Sequence, residues 1–266
     1  MEKQVHTLQE ALAPGRKEHI VLVGGGGKTT LMFSLAKELH SAGKKVIAST
    51  TTKIWLREAQ ESANVLIGGD GPGYRNADLE EALRNEKCFF LGRKVLESGK
   101  VEGVAPEIAD EIYGNQEIDY LILEGDGSAG HPVKAPADHE PVVPASATMV
   151  IAMLGLDALW QSAVPEVVFR LNLFEEITRA RPGEVLTPAI LARVFLEPRG
   201  MFKGAPRGAR RIAFLNKIDL SDEDKGAREL ASMILGKGPA GVERVVIGSL
   251  REKRYQVMEA QDERDL

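Results

Sequence analysis

VGGGGKTT, residues 23–30, is the stretch of this chain that most strongly constrains its fold. A phosphate-binding loop has the pattern G-x-x-x-x-G-K-[ST]. If Gly27 and Lys28 are the G-K pair, the first glycine should lie at position 22, where the chain has Leu22. The pattern is therefore incomplete, and the neighbouring sequence has to distinguish a phosphate-binding loop from a flexible glycine turn.

The sequence around the glycines favours the phosphate-binding loop. The apolar run 20–23 predicts a buried strand just before them, and Leu31, Leu35 and Leu39 form one apolar face of a helix that begins near Lys28. Glycines leave backbone N–H groups open to an anion, and the start of a helix adds unpaired N–H groups. Lys28 would reach the β- and γ-phosphates, and the Thr29 hydroxyl would bind Mg²⁺. The predicted nucleotide-binding residues here are Gly24, Gly25, Gly26, Gly27, Lys28, Thr29 and Thr30.

Apolar runs alternate with helical patterns along the rest of the chain. Each run is continuously apolar, which predicts strands that are covered on both faces. The seven runs are 20–23, 46–48, 88–91, 120–123, 149–154, 212–215 and 245–247. Helical patterns besides the one after the glycines fit 79–83, 106–112, 187–195 and 222–235. This alternation predicts an α/β fold, a phosphate-loop NTPase-like three-layer sandwich with a mostly parallel central sheet.

The domain organisation follows from the same pattern. We find no internal repeat or clear linker, so we predict a single phosphate-loop nucleotide-binding domain over residues 1–266. Two stretches interrupt the alternation. Residues 92–104 predict a hairpin that turns at Ser98 and Gly99, and residues 125–147, which contain four prolines, predict a long ordered loop.

Composition excludes several function classes. The net charge of −5 argues against a nucleic-acid or membrane-surface protein, which usually has a basic excess. No apolar run approaches the roughly 18–20 residues of a membrane span, and the first residues have no apolar core of a signal peptide. A single cysteine, Cys88, excludes an internal disulfide and fits the reducing cytoplasm. We therefore expect a cytoplasmic protein without nucleic-acid or membrane partners, and the sequence leaves homo-oligomer formation open.

Acidic and hydroxyl side chains follow two of the predicted strands. Glu124 ends the run 120–123, and Asp126 follows two residues later. Either carboxylate could hold Mg²⁺ or take part in catalysis, because Mg²⁺ prefers one or two carboxylates together with phosphate oxygens and water. Thr51, in a threonine-rich strand end, could offer a hydroxyl to the same metal. The predicted catalytic residues are Lys28, Glu124 and Asp126, and the predicted metal ligands are Thr29, Thr51 and Glu124.

Asn216, Lys217 and Asp219 match the N-K-x-D motif that reads guanine in GTP-binding proteins. One carboxylate accepts both donors on the guanine edge, N1–H and the N2 amine. Adenine has an unprotonated N1 there, so Asp219 would be left unpaired and ATP would be disfavoured. Asn216 would hold the loop, and Lys217 would pack along the purine. GTP is therefore the favoured nucleotide, with ATP the alternative.

The proline-rich loop concentrates polar side chains beside the expected γ-phosphate position. His131, Lys134, Asp138 and His139 could bind a second substrate, a metal, an anionic group or a client protein. Their spacing matches no established metal-site pattern. The alternative is that they are ordinary loop residues whose polar groups bond within the loop.

Two resemblances follow from these motifs. The glycine loop resembles that of the phosphate-loop class containing the chromosome-partition ATPases and the metal-insertion GTPases, although its ATPases carry a lysine where this chain has Val23. The ordered set VGGGGKTTLM, TTTKI, EGDGSAGHPVKAP, DHEPVVP and NKID resembles the YqeC family, over most of residues 18–250. That family is described as accessory factors for selenium-dependent molybdenum hydroxylases or as selenium cofactor biosynthesis proteins.

The resemblance implies Mg²⁺-dependent nucleotide hydrolysis that assists maturation of such a hydroxylase or its cofactor. Two alternatives stay open. One is a small-molecule kinase whose acceptor binds at the loop 125–147, and the other is a nucleotide-gated chaperone with slow hydrolysis. The sequence contains no recognisable arginine finger, so slow intrinsic turnover is expected.

Overall fold

The computed structural model describes residues 2–68, 76–220, 224–235 and 241–260, with the side chains of 76–78 excepted. Within these ranges the chain forms fifteen strands and eight α-helices. The strands are β1 (Glu2–Val5), β2 (Glu18–Gly24), β3 (Val46–Thr50), β4 (Lys53–Trp55), β5 (Val65–Ile67), β6 (Cys88–Gly92), β7 (Lys94–Val95), β8 (Lys100–Glu102), β9 (Tyr120–Glu124), β10 (Val133–Lys134), β11 (Met149–Gly155), β12 (Val168–Phe169), β13 (Arg210–Asn216), β14 (Arg244–Ser249) and β15 (Arg254–Glu259). The helices are α1 (Leu8–Leu12), α2 (Lys28–Ser41), α3 (Leu56–Ser62), α4 (Asn76–Asn85), α5 (Pro106–Gly114), α6 (Leu171–Thr178), α7 (Pro188–Leu196) and α8 (Asp224–Leu235).

Ten of the strands form one central sheet in the order β1-β15-β14-β13-β11-β2-β9-β3-β6-β5. Every pairing from β14 to β5 is parallel, and only β15 runs antiparallel to its two neighbours. Parallel strands require crossover connections, and α2 supplies the one between β2 and β3, which lie on either side of β9. The predicted α/β class with a mostly parallel central sheet is therefore confirmed.

The two faces of the sheet are buried against different helices. On β2, Ile20 and Leu22 belong to one hydrophobic cluster, while Val21 and Val23 belong to another. The first cluster includes the apolar face of α2, and the second includes α7 and α8. Successive strand residues point to opposite faces. The strands must therefore be apolar throughout, which is the pattern that the sequence showed.

All seven apolar runs are strands of this sheet, and the predicted helices are present. Thr187 caps α7, with its hydroxyl accepting the Ile190 N–H. The hairpin predicted within 92–104 is formed by β7 and β8, and β8 also pairs with β4. Of the predicted helix 222–235, Asp222 and Glu223 lie outside the described residues. The 125–147 segment is mainly irregular, with β10 as a short strand paired to β12.

The parallel strands determine where polar loop residues meet. The carboxyl ends of β13, β11, β2, β9 and β3 lie at one edge of the sheet in that spatial order. Ligands of open α/β sheets bind outside this edge. Among the residues that the structure describes, none of the helices is long and apolar enough to cross a lipid bilayer.

Candidate functional site

The glycine loop connects β2 to α2 and is tightly enclosed. Gly24, Gly26 and Gly27 have φ values of +93°, +78° and +122°, a region that side chains disfavour. A Cβ on Gly26 would lie 2.2 Å from the Gly155 nitrogen, and one on Gly24 would lie 2.4 Å from the Met153 oxygen. The glycines are therefore required both by backbone conformation and by the close approach of β11.

The backbone N–H groups of the loop fall into two sets. Gly24 donates to the Asp126 carboxylate, Gly25 to the Met153 oxygen at 2.9 Å, and Gly26 to the His131 oxygen at 3.0 Å. In contrast, the N–H groups of residues 27–30 have no acceptor among the described residues, and Gly27 provides no side-chain cap for α2. All four of these residues line a cavity of about 680 Å³. The start of α2 thus presents four free donors and a partial positive charge to this cavity.

Lys28 is a buried cation at this helix start. Its Nζ donates to the Gly24 oxygen at 2.6 Å and lies 3.3 Å from an Asp126 oxygen and 3.5 Å from a Glu124 oxygen. Burial alone lowers the pKa of Lys28, but attraction from Asp126 and Glu124 outweighs burial, so the pKa is raised. Lys28 is therefore held as an ammonium group at the phosphate-loop position.

Thr29 and Glu124 lie together, as predicted for a metal site. The Thr29 hydroxyl donates to Glu124 Oε2 at 2.9 Å, and both residues line the cavity. A hydroxyl and a carboxylate oxygen are ligands that Mg²⁺ accepts together with phosphate oxygens and water. No group of three or more His, Cys, Asp or Glu side chains suited to a metal occurs among the described residues. The residues therefore fit an ion that a phosphate ligand helps to hold.

Thr51 is close to Glu124, but its hydroxyl points towards backbone oxygens instead of the Glu124 carboxylate. Its N–H donates to the Glu124 backbone oxygen, and its hydroxyl lies 3.4 Å from that oxygen and 3.3 Å from the Val142 oxygen. Thr51 does not line the cavity. The structure thus places Thr51 beside the predicted metal ligands with its hydroxyl directed to backbone carbonyls.

The N-K-x-D segment contacts the glycine loop through its asparagine. Asn216 donates to the Gly26 oxygen at 2.8 Å and accepts the Leu250 N–H at 3.1 Å. Lys217 lines the cavity, and its Nζ lies 2.7 Å from Asp157 Oδ2. Asp219 does not line the cavity, and its carboxylate pairs with Arg251 at 2.8 Å. The structure brings Asn216 and Lys217 to the loop and leaves Asp219 to one side.

The 125–147 segment contributes a chain of buried charges. Asp126 contacts Lys28 through one oxygen and Lys134 Nζ through the other, at 3.1 Å. Lys134 is fully buried and also pairs with Glu140, which in turn pairs with Arg170. Burial raises the pKa of Glu140, but hydrogen bonds from Arg170 and Lys134 outweigh burial and lower it. Five side chains of alternating charge therefore connect Lys28 to Arg170.

The other predicted loop residues are not members of this chain of charges, although His139 lies next to one of them, Glu140. His131 contacts the Ser128 and Pro165 oxygens through its two ring nitrogens. Asp138 and His139 are exposed and do not line the cavity. Of the four predicted substrate or client residues, Lys134 is connected to Lys28 through Asp126, and His139 approaches the chain of charges at Glu140, with 3.9 Å between His139 Nε2 and Glu140 Oε1.

Several cavity residues were missed by sequence reasoning. Five of them are Lys53 and Trp55 on β4, Lys100 on β8, Phe169 on β12, and Arg170 immediately before α6, and we call these five side chains the wall. Arg170 has a φ of +62°, which is uncommon for an arginine. Positively charged and aromatic residues in short strands carry little signal of their own. The φ value and the contact with Glu140 are visible only in three dimensions.

Two comparisons with known proteins agree with the motif pattern. A family model described as "YqeC protein" matches residues 20–172. A protein of Escherichia coli (strain K12), described as "Uncharacterized protein YqeC", is 32% identical over 240 residues, which is 90% of each chain. The similarity extends beyond the glycine loop to nearly the whole chain.

Proposed function

This chain belongs to the YqeC family, and we propose that it binds and hydrolyses a nucleoside triphosphate with Mg²⁺, GTP being favoured. We further propose a phosphate-loop NTPase-like fold and a cytoplasmic location. The biological role proposed from the family resemblance is maturation of a selenium-dependent molybdenum hydroxylase or of its cofactor.

One observation carries the proposal: residues 27–30, whose N–H groups have no acceptor among the described residues, line the cavity beside the Lys28 ammonium. A triphosphate is the ligand whose charge and oxygen atoms match these donors. Lys28 lies beside Asp126 and Glu124, and Asp126 keeps Lys134 as a partner when Lys28 turns towards a phosphate. The hydrogen bond from the Asn216 side chain to the Gly26 oxygen keeps the loop in this conformation.

The role proposed for each residue depends on whether its side chain lines the cavity or is buried behind it. Thr29 and Glu124 would hold Mg²⁺, which when bound neutralises charge on the β- and γ-phosphate oxygens. Glu124 lines the cavity and is the carboxylate that can orient a water molecule or an acceptor. Asp126 is almost fully buried, accepts the Gly24 N–H, and pairs with two lysines. Its proposed role is therefore to position Lys28.

A small-molecule kinase is the second candidate, because the cavity continues past Glu124 to a wall that the triphosphate donors do not occupy. The hydrolase would release inorganic phosphate without an acceptor. The kinase would need an acceptor on that wall.

The test is a titration of GTP and GDP, with Mg²⁺ and with a chelator, in the wild type and three variants. Lys28→Ala removes the ammonium, and we expect triphosphate affinity to fall about ten- to a hundredfold, the value of a charge-assisted hydrogen bond. Thr29→Val removes a hydroxyl without changing shape, so it should abolish the advantage that Mg²⁺ gives to GTP over GDP. Lys37→Ala, an exposed lysine on α2, is the matched control.

Thermal unfolding of each variant shows whether it is folded, which matters because Lys28 pairs with two carboxylates. Unchanged triphosphate affinity in folded Lys28→Ala would contradict the proposal.

A further inference from the structure

We propose that the wall formed by Lys53, Trp55, Lys100, Phe169 and Arg170 is a subsite for a second ligand, a small anionic molecule with a flat conjugated ring. The proposal rests on the nucleotide site proposed above. It names a ligand class for a part of the cavity that the nucleotide leaves open.

The order of the strands separates the two ligands. Along the carboxyl edge, β13 carries Asn216 and Lys217, β2 carries the glycine loop, β9 carries Glu124, and β3 leads directly into β4. A base near Lys217 and phosphates at the start of α2 would extend from β13 towards β9. The part of the wall on β4 and β8 therefore lies on the γ-phosphate side, beyond the nucleotide, and Phe169 and Arg170 line the same cavity from β12 and the residue before α6.

The charge of the wall favours an anion. Lys53 has no ion-pair partner among the described residues, and it lines the cavity. Arg170 pairs with Glu140, but Glu140 is also neutralised by the buried Lys134. Glu58, an acidic residue, also lines the cavity. Burial, followed by repulsion from Glu124 and Glu61, raises the pKa of Glu58.

The wall also carries two aromatic rings. Trp55 is 48% exposed although it lines the cavity, and the Lys100 ammonium lies 4.6 Å from its ring centroid. Phe169 has the Arg170 guanidinium 5.1 Å from its ring centroid. Aromatic faces beside cations bind flat, conjugated anions, because the ring stacks while the cation meets the negative group.

The left-handed backbone of Arg170 supports a functional position. A φ of +62° for a residue other than glycine or asparagine is uncommon, and such conformations are concentrated at ligand sites. Arg170 lies immediately before α6 and extends from there to Glu140 and the cavity. The fold thus holds this guanidinium at the wall with a buried counter-charge behind it.

The chain has two tryptophans, so Trp160→Phe leaves Trp55 as the single indole fluorophore. The experiment measures quenching of Trp55 by 4-nitrophenyl phosphate, at saturating Mg²⁺ and a non-hydrolysable GTP analogue that occupies the phosphate site. 4-Nitrobenzyl alcohol is the neutral flat control, and inorganic phosphate is the competitor without a ring. We expect saturable quenching by the anionic probe only.

In this background, Lys53→Ala and Arg170→Ala should each weaken probe affinity about tenfold, as expected for loss of a charge-assisted contact. Lys37→Ala should leave probe affinity unchanged. Affinity for the GTP analogue, measured separately, should stay within about twofold in all three variants. Equal quenching by the neutral probe, or unchanged probe affinity in both wall variants, would overturn the subsite.

The two proposals fail in different ways. Failure of the wild type to bind the GTP analogue would overturn the nucleotide proposal. Intact analogue binding without saturable quenching would overturn the second-ligand subsite alone. A parallel loss of analogue and probe affinity in Lys53→Ala or Arg170→Ala would assign the wall to the nucleotide itself and would also overturn the subsite.

Discussion

Asp219 is the residue on which the proposed preference for GTP over ATP depends. Its side chain is only 5% exposed, and its carboxylate pairs with Arg251, whose side chain is 70% exposed. An ion pair with so exposed a partner contributes little stability, so a ligand with two suitable donors can replace Arg251 at small cost. The neighbouring Asn216 contacts with Gly26 and Leu250 connect this carboxylate to the phosphate loop.

We expect wild-type protein to bind GTP at least about tenfold more tightly than ATP, because adenine lacks the two donors that guanine offers to Asp219 and a hydrogen bond to a charged group is worth roughly 1–3 kcal/mol. Asp219→Asn should shift the preference towards XTP, since xanthine has a carbonyl where guanine has its amine and the amide can donate to it. Arg251→Ala is the matched control, which removes the partner and keeps the carboxylate, and it should retain the GTP preference. Equal wild-type affinities for GTP and ATP would leave only a general nucleotide site.

At the scale of elements, the 125–147 segment is held by charges rather than by regular hydrogen bonding. Lys134 lies on the two-residue strand β10, is fully buried, and contacts Asp126, Glu140 and the Gly127 oxygen. Removing one partner of a buried ion pair leaves the other charge uncompensated, which costs more than the pair itself contributes.

Lys134→Met should therefore lower the free energy of unfolding by about 3–5 kcal/mol, because two buried carboxylates lose a cation. Lys45→Met is the matched control: it removes the partner of Glu117 in an exposed pair and should cost at most about 1 kcal/mol. Urea unfolding at neutral pH measures both values. Similar losses in the two variants would show that the buried charges do not stabilise the segment.

The length and the apolar pattern of each element determine whether it could be predicted from the sequence. The seven central strands are continuously apolar, and the loop that follows β2 carries its own motif. β10 and β12 have two residues each, too few for any periodic signal. β15 alternates buried and exposed residues, a pattern that a period-two search would have found. Arg170 was missed because its partner Glu140 is 30 residues away in sequence, so only tertiary structure brings them together.

At the scale of the whole molecule, β2 ends in the glycine loop of the candidate site and carries a buried histidine, His19, near its start. His19 is fully buried, and its Nδ1 lies 2.8 Å from Ser146 Oγ. Ser146 Oγ donates to Asp110, so Nδ1 carries the proton of the neutral ring. The other nitrogen, Nε2, is buried and has no hydrogen-bond partner among the described residues. Protonating the ring would place a second buried N–H there without an acceptor.

Burial lowers the pKa of His19 to about 4 from 6.5, against weaker attraction from Asp110. Between these pH values the unfolded chain binds the proton more readily, so the free energy of unfolding should decrease as pH falls from 6.5 towards 4. The full loss is about 3 kcal/mol. His19→Gln cannot titrate, and urea unfolding from pH 7 to pH 4 should show a shallower loss than in the wild type. The exposed His40→Gln should follow the wild type, whereas parallel curves for wild type and His19→Gln would exclude His19 as the source.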